Sequence, residues 1–368
     1  MMERAEIFAW LTENEPARLD ELFHRADTAR RDHVGDAVHL RGLVEFSNHC
    51  VRNCAYCGLR ASNRGVDRYR LTADQILACA DQAVALGYGT LVLQSGEDLA
   101  VSADAMADVV RRIKQETPLA VTLSLGERSP GEYAAWKEAG ADRYLLRFET
   151  SSPRLFQSLH PRRRGQPFGR VELLRILRRL GYEVGSGVMI GVPGQSWDDL
   201  AEDLLLMREL DLDMIGVGPY LAHPDTPLGR RPERWCLAED QQVPADERTT
   251  YKVIALARLL CPRANIPSTT ALATINPVNG RELGLKRGAN VIMPNVTPLE
   301  FRPAYSIYPN KACIGDGAET CHHCVHWRIA ALGRTVGAGR GDSPNPRRHD
   351  LITFSNVKEP NHGRAADR

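Results

Sequence analysis

Apolar positions along this chain recur in two alternating periods. Short β-rich runs lie at Val38–Phe46, Thr90–Gln94, Ala120–Ser124, Arg143–Phe148, Glu183–Ile190, Met214–Val217, Asn265–Ile266 and Val291–Met293. Between them, apolar residues return every three to four positions at Ala73–Leu86, Ala103–Lys114, Tyr133–Ala139, Val171–Leu180, Trp197–Leu210, Asp246–Leu260 and Glu282–Arg287. The first pattern predicts strands and the second amphipathic helices. Their strict alternation predicts a parallel α/β fold, read here as a (β/α)8 TIM-type barrel rather than an open sheet.

Several boundaries announce themselves. Thr72-x-x-Gln75 and Ser129-Pro130-Gly131-Glu132 have the form of capping boxes, the second with proline at the first helical position. Gly87, Gly140, Gly181 and Gly288 follow helices where a left-handed cap is expected. Residues 1–37 read as an N-terminal helical extension, one polar helix from about Ala5 to Arg31 with Ile7, Phe8, Leu11, Leu19 and Leu22 as its apolar stripe. The barrel then occupies 38–300. Residues 301–335 form a cysteine-bearing cap, and Pro294–Leu332 reads as irregular. Gly, Arg, Pro, Asn and Asp dominate from Gly333, so 336–368 reads as a mostly disordered tail.

Composition narrows the partners. Lys and Arg number 47 against 46 Asp and Glu, a net charge of +1 that gives no argument for nucleic acid or a membrane surface. No apolar run approaches the roughly 20 residues of a membrane span, and the acidic N-terminus lacks a signal-peptide core, so a cytoplasmic location is expected. Nine cysteines in such a chain read as thiols or metal ligands rather than disulfides. Cys79, Cys236 and Cys261 stand alone, the first and last on helices as small apolar residues. The other six cluster.

Cys50, Cys54 and Cys57 follow the first strand, at the barrel end where loops carry chemistry. Three thiolates can hold three irons of a 4Fe–4S cubane and leave the fourth open to a chelating ligand. A ferredoxin would need a fourth cysteine nearby, and structural zinc four ligands, for which only His49 is at hand. Cys313, Cys321 and Cys324 make a second set, with His322, His323 and His326 keeping zinc in play beside iron–sulfur. On the fourth strand Arg143, Leu145, Arg147 and Glu149 share one face. Charges facing a barrel interior need a partner or a ligand, so either Arg147 pairs with Glu149 or a ligand engages them. Gly337-Ala338-Gly339-Arg340-Gly341 looks like a dinucleotide loop but has no strand before it and Pro344 after it.

The run Glu45-Phe46-Ser47-Asn48-His49-Cys50-Val51-Arg52-Asn53-Cys54-Ala55-Tyr56-Cys57-Gly58-Leu59-Arg60 resembles the radical S-adenosylmethionine (SAM) maturases of FeFe hydrogenase, the HydE family, relatives of biotin synthase and methylornithine synthase. The resemblance covers roughly residues 35–335. It implies a cluster on Cys50, Cys54 and Cys57 that cleaves SAM reductively to a 5′-deoxyadenosyl radical, and an accessory 2Fe–2S or 4Fe–4S cluster on Cys313, Cys321 and Cys324. Tyr56, Ser95, Gly96, Glu97, Ser124, Glu149 and Arg170 would contact SAM, and Gly187–Gln195 matches the glycine-rich strand end on which it rests. Gln94, Thr122, Arg147, Thr269, Thr270, Met293, Tyr305 and Tyr308 would line the substrate pocket, with Arg147 and Glu149 nearest the chemistry. Phe148 stands where the family usually has histidine. The implied partners are a small anionic precursor carrying sulfur and iron, an electron donor such as flavodoxin or ferredoxin, and other hydrogenase maturases. The alternatives are a methylornithine- or biotin-synthase-like radical enzyme and, from another class, a non-catalytic iron–sulfur or zinc scaffold. Such a scaffold would not need Glu97, Glu149 and Arg170.

Overall fold

A computed structural model describes residues 2–161 and 166–345. Its strands are β1 (Ala37–Ser47), β2 (Thr90–Ser95), β3 (Ala120–Ser124), β4 (Arg143–Leu145), β5 (Glu183–Ser186), β6 (Met189–Ile190), β7 (Met214–Ile215), β8 (Gly218–Pro219), β9 (Val291–Ile292) and β10 (Thr335–Val336). Pairing is parallel throughout the path β1-β2-β3-β4-β5-β7. Single bridges Met214–Asn265 and Pro267–Val291 carry the sheet onward, and β9 pairs with β1, so the ring closes. Closure leaves no long sheet edge exposed. The fold is the (β/α) barrel the alternation predicts.

The helices are α1 (Arg4–Thr12), α2 (Pro16–Val34), α3 (Ala73–Ala85), α4 (Ala103–Glu116), α5 (Pro130–Glu138), α6 (Pro153–Leu159), α7 (Arg170–Arg179), α8 (Trp197–Glu209), α9 (Pro227–Arg230), α10 (Glu247–Leu260), α11 (Thr270–Ile275), α12 (Gly280–Leu285) and α13 (Ala318–Ala331). Each barrel helix buries one stripe. In α4 that stripe is Met106, Ala107, Val109, Val110 and Ile113, each apolar side chain worth about 1.5–3 kcal/mol when fully buried. Both capping boxes form, and the four expected cap glycines take positive φ. Among the described residues no helix is long and apolar enough to cross a membrane.

Four expectations are corrected. The N-terminal helix is two, because the chain turns extended at Glu13 and restarts with Glu15 as cap and Pro16 in the first turn. The cap is not irregular throughout: α13 buries Ala318, Cys321, Val325 and Ile329 at helical spacing, a stripe hidden by the cysteines and histidines within it. The fourth strand stops at Leu145. The tail is ordered over residues 335–345, because its backbone satisfies a polar barrel floor rather than an apolar one. There β10 pairs with β1. The Arg340 carbonyl accepts from Thr90 and Arg143 at 2.7 and 3.0 Å, and the Gly341 carbonyl from Arg41 and Asn265 at 3.1 Å each. Arg143, fully buried, also bonds Glu183 at 2.8 Å and pairs with Asp342. Burial, with Arg143 nearby, holds Arg41 down to about 9. The Arg162-Arg163-Arg164 run, read as a solvated loop, and residues beyond 345 lie outside the described residues.

Candidate active site

The loop after β1 is fastened before any ligand arrives. The buried Asn48 amide donates to the carbonyls of Asp67 and Ala304 at 2.8 Å each, while its oxygen accepts from the Tyr69 amide at 2.7 Å. Further along, the amides of Val51, Ala55 and Gly58 donate to the carbonyls of Glu97, Leu159 and Ile307 at 3.0, 2.9 and 3.0 Å. The three cysteines are thereby tied to the β2 loop, the end of α6 and the cap. Two glycines permit the closeness. A Cβ on Gly96 would stand 2.3 Å from the His49 carbonyl oxygen, and one on Gly58 would stand 2.2 Å from that of Ser306. Burial raises all three thiol pKa values, Cys54 to about 12.

Behind the cysteines runs a buried chain of charges. Arg52 lies 3.8 Å from Glu97 and 3.4 Å from Glu127, and Glu127 accepts from Arg170 at 2.8 Å. Arg170 also donates to the Arg147 carbonyl at 2.6 Å. Burial works against its charge, but Tyr56, Glu127 and Glu149 outweigh burial and its pKa is raised. His160 sits among these groups, 3.2 Å from Cys54 Sγ and 3.0 Å from the Tyr56 hydroxyl. Burial first, and Arg170 next, hold its pKa far below the ordinary range, so the ring is neutral.

Glu149 is turned into the barrel by an uncommon backbone. Its φ is +66°, a conformation non-glycine residues rarely adopt, and Asp203 of α8 secures the turn by accepting from Thr150 and Ser151. Arg147 reaches within 3.2 Å of Glu149, so the internal ion pair forms. It does not satisfy the pair. Among the described residues, Arg147 Nε and Glu149 Oε2 are buried without a hydrogen-bond partner, as is Thr269 Oγ1.

These groups face a cavity of about 210 Å³. Tyr56, Cys57, Gln94, Arg147, Glu149, Thr269, Thr270, Met293, Tyr308, Cys313 and Cys321 are among the residues that line it. Thr122 and Tyr305 are buried and do not face it, although Gln94 donates to the Tyr305 hydroxyl at 3.3 Å. Phe148 is buried in the core, 1% exposed, and is not among the residues that line the cavity. Ser95 donates to the Gly96 carbonyl at 2.6 Å, and Ser124 ends β3 half-buried. Wall residues without a role in the sequence reading include Glu45, its partner Lys311, and Asn295, which donates to Glu45 at 2.9 Å.

The second cysteine set is split by α13. Cys321 faces inward and is hydrogen-bonded with Cys313, whereas Cys324 is exposed and accepts from Arg328 at 3.4 Å. Arg281 lies 3.7 Å from Cys313. Among the described residues no three His, Cys, Asp or Glu side chains converge on a point that would hold a single metal ion.

The Radical SAM superfamily model matches residues 44–207. The FeFe-hydrogenase maturase subunit HydE of Thermotoga maritima is 48% identical over 322 residues, covering 88% of each chain. The chain belongs to the HydE family of radical SAM enzymes. A 3-methylornithine synthase of Methanosarcina acetivorans is 29% identical over 80% of this chain and 81% of its own. The crystal structure of methylornithine synthase (PylB) superposes with a TM-score of 0.76 at 23% identity, over 92% of this chain and 94% of that one, which supports the barrel.

Membership in the radical SAM superfamily implies a 4Fe–4S cluster and SAM, and the residues fit both. Cys50, Cys54 and Cys57 are within electrostatic reach of one another, and Cys57 lines the adjoining cavity. The unpartnered atoms of Arg147, Glu149 and Thr269 await a polar ligand in the adjoining cavity. Sequence reasoning missed His160, Glu127 and Arg52 as members of the site. For Arg52 the signal was available, an arginine between two of the cysteines. His160 and Glu127 are brought in by folding alone.

Proposed function

We propose that this chain acts in the cytoplasm in assembling the di-iron subcluster of FeFe hydrogenase, using a SAM-derived radical on a small anionic precursor. One observation carries the reading: a cavity lined by Cys57 and by Arg147, Glu149 and Thr269, whose buried polar atoms are unsatisfied among the described residues. A 4Fe–4S cluster on Cys50, Cys54 and Cys57 supplies, when bound, the electron that splits SAM into methionine and a 5′-deoxyadenosyl radical.

The chain's own residues bind, orient and shield. Glu97 and Arg170 sit at opposite ends of the Arg52–Glu127 chain, offering a carboxylate to the SAM ammonium and a guanidinium to its carboxylate. Gly96 permits close approach, Tyr56 packs toward the adenine, and Ser95, Ser124 and Glu149 supply polar contacts. Arg147, already leaning on Glu149, holds the precursor's charge, while Gln94, Thr269, Thr270, Met293 and Tyr308 set its shape. Thr122 and Tyr305 support that wall from behind. The cap residues Tyr308 and Lys311 keep water from the radical. An accessory iron–sulfur cluster would use Cys313, Cys321 and Cys324. The electron donor is an acceptor-matched carrier such as flavodoxin or ferredoxin, and other hydrogenase maturases would supply or receive the cargo.

The test is anaerobic reconstitution, reduction with dithionite and measurement of 5′-deoxyadenosine beside Cys54→Ala. Product from the wild type alone supports the reading. Iron and sulfide bound without product in either would favour a scaffold.

A further inference from the structure

His160 is the buried titratable group that the account above leaves without a task. It caps α6, with its amide donating to the Phe156 carbonyl at 2.8 Å, and its ring is 1% exposed. Phe156 stacks on one face at 4.9 Å and Tyr56 meets it edge-on at 5.3 Å, so the ring has little freedom to turn. Held there, Nδ1 lies 3.2 Å from Cys54 Sγ and Nε2 lies 3.0 Å from the Tyr56 hydroxyl.

We propose that His160 is a positioning residue that donates its Nδ1–H to the Cys54 sulfur and so raises the reduction potential of the bound cluster. An N–H donated to a ligating thiolate draws charge from it and favours the reduced state, one of the levers by which proteins tune such centres. In the tautomer that serves this bond the ring hydrogen sits on Nδ1. Once it points at sulfur, Nε2 must accept, and the hydrogen it can accept is that of the Tyr56 hydroxyl. That hydroxyl also lies 3.3 Å from Glu149 Oε1 and has one hydrogen, so it gives up the carboxylate. Glu149 Oε1 is then released by Tyr56, while Arg147 stays beside Oε2 at 3.2 Å. Arg170 can only donate, so its contact 3.4 Å from Nδ1 would need the opposite tautomer; the Cys54 sulfur is nearer, at 3.2 Å, and as an iron-bound thiolate it favours Nδ1–H.

The inference rests on the cluster reading, and one experiment separates the two. His160→Asn places an amide nitrogen near the position of Nδ1, His160→Gln near that of Nε2, and His160→Leu removes both. Wild type and the three variants are reconstituted, their iron and sulfide measured, and their clusters titrated reductively with detection by electron paramagnetic resonance. The wild type and His160→Asn should share a midpoint potential, with His160→Gln and His160→Leu shifted to more negative values. Equal potentials in all four, or a fall in His160→Asn matching that in His160→Leu, would overturn the proposal. So would loss of iron in all three variants, which would make His160 a structural prop. A wild type that takes up no cluster would instead sink the underlying cluster reading.

Discussion

Asp203 offers a quantitative check on how the Glu149 turn is held. Its carboxylate is fully buried in α8 and accepts from the Ser151 hydroxyl at 2.7 Å, the Thr150 hydroxyl at 3.3 Å and the Ser151 amide. Its second oxygen has no hydrogen-bond partner among the described residues. Burial therefore wins over those bonds and pushes the group from an ordinary 3.8 up to about 7. The folded state then holds this proton more tightly than the unfolded chain does. Stability from this group is highest at low pH and falls as pH rises from about 4 to about 7. With those two values the loss between pH 5 and 8 is about 2–3 kcal/mol. Asp203→Asn keeps an acceptor for Ser151 and cannot ionise. In urea unfolding of the metal-free protein at several pH values, wild-type stability minus that of Asp203→Asn should drop by that amount across the range. A flat difference, or one that grows with pH, would refute the reasoning.

Other perturbations give distinct outcomes. Lys311→Met leaves the Glu45 carboxylate buried with Asn295 alone and should cost about 3–5 kcal/mol in denaturant unfolding. Adding Glu45→Gln should recover much of it. Gly58→Ala drives a methyl against the Ser306 carbonyl, so the cluster loop should part from the cap, and iron bound per chain after reconstitution should fall. Ending the chain at Arg334 strips acceptors from Thr90, Arg143 and Arg41, each buried donor costing about 1–3 kcal/mol, and should lower Tm by several degrees. Arg147→Met should leave SAM cleavage without precursor nearly intact while weakening precursor binding, read as a KM change.

The barrel was legible because its signals are local. Strand and helix periods, two capping boxes and the cap glycines all depend on residues a few positions apart, and the capping boxes and cap glycines formed where expected. What escaped was order bought with backbone carbonyls. The segment from Thr335 to Asn345 has no apolar stripe, and its partners, Arg41, Thr90 and Arg143, are up to 300 positions away. The cysteine triplet stood out in the site because spacing alone identifies it. His160 did not, since a lone histidine followed by proline gives no sign that folding will set it 106 positions back, against Cys54. The Arg147–Glu149 pair was foreseen as one of two options, and both features hold: the ion pair forms, and polar atoms on each side stay unsatisfied toward the cavity.

The central claim is tested most directly in cells that make apo-hydrogenase but lack their own HydE-family maturase. Supplied with this chain, they should regain hydrogen evolution, and supplied with Cys54→Ala at equal protein level they should not. Restoration by both, or by neither while the wild type still cleaves SAM in vitro, would contradict the account.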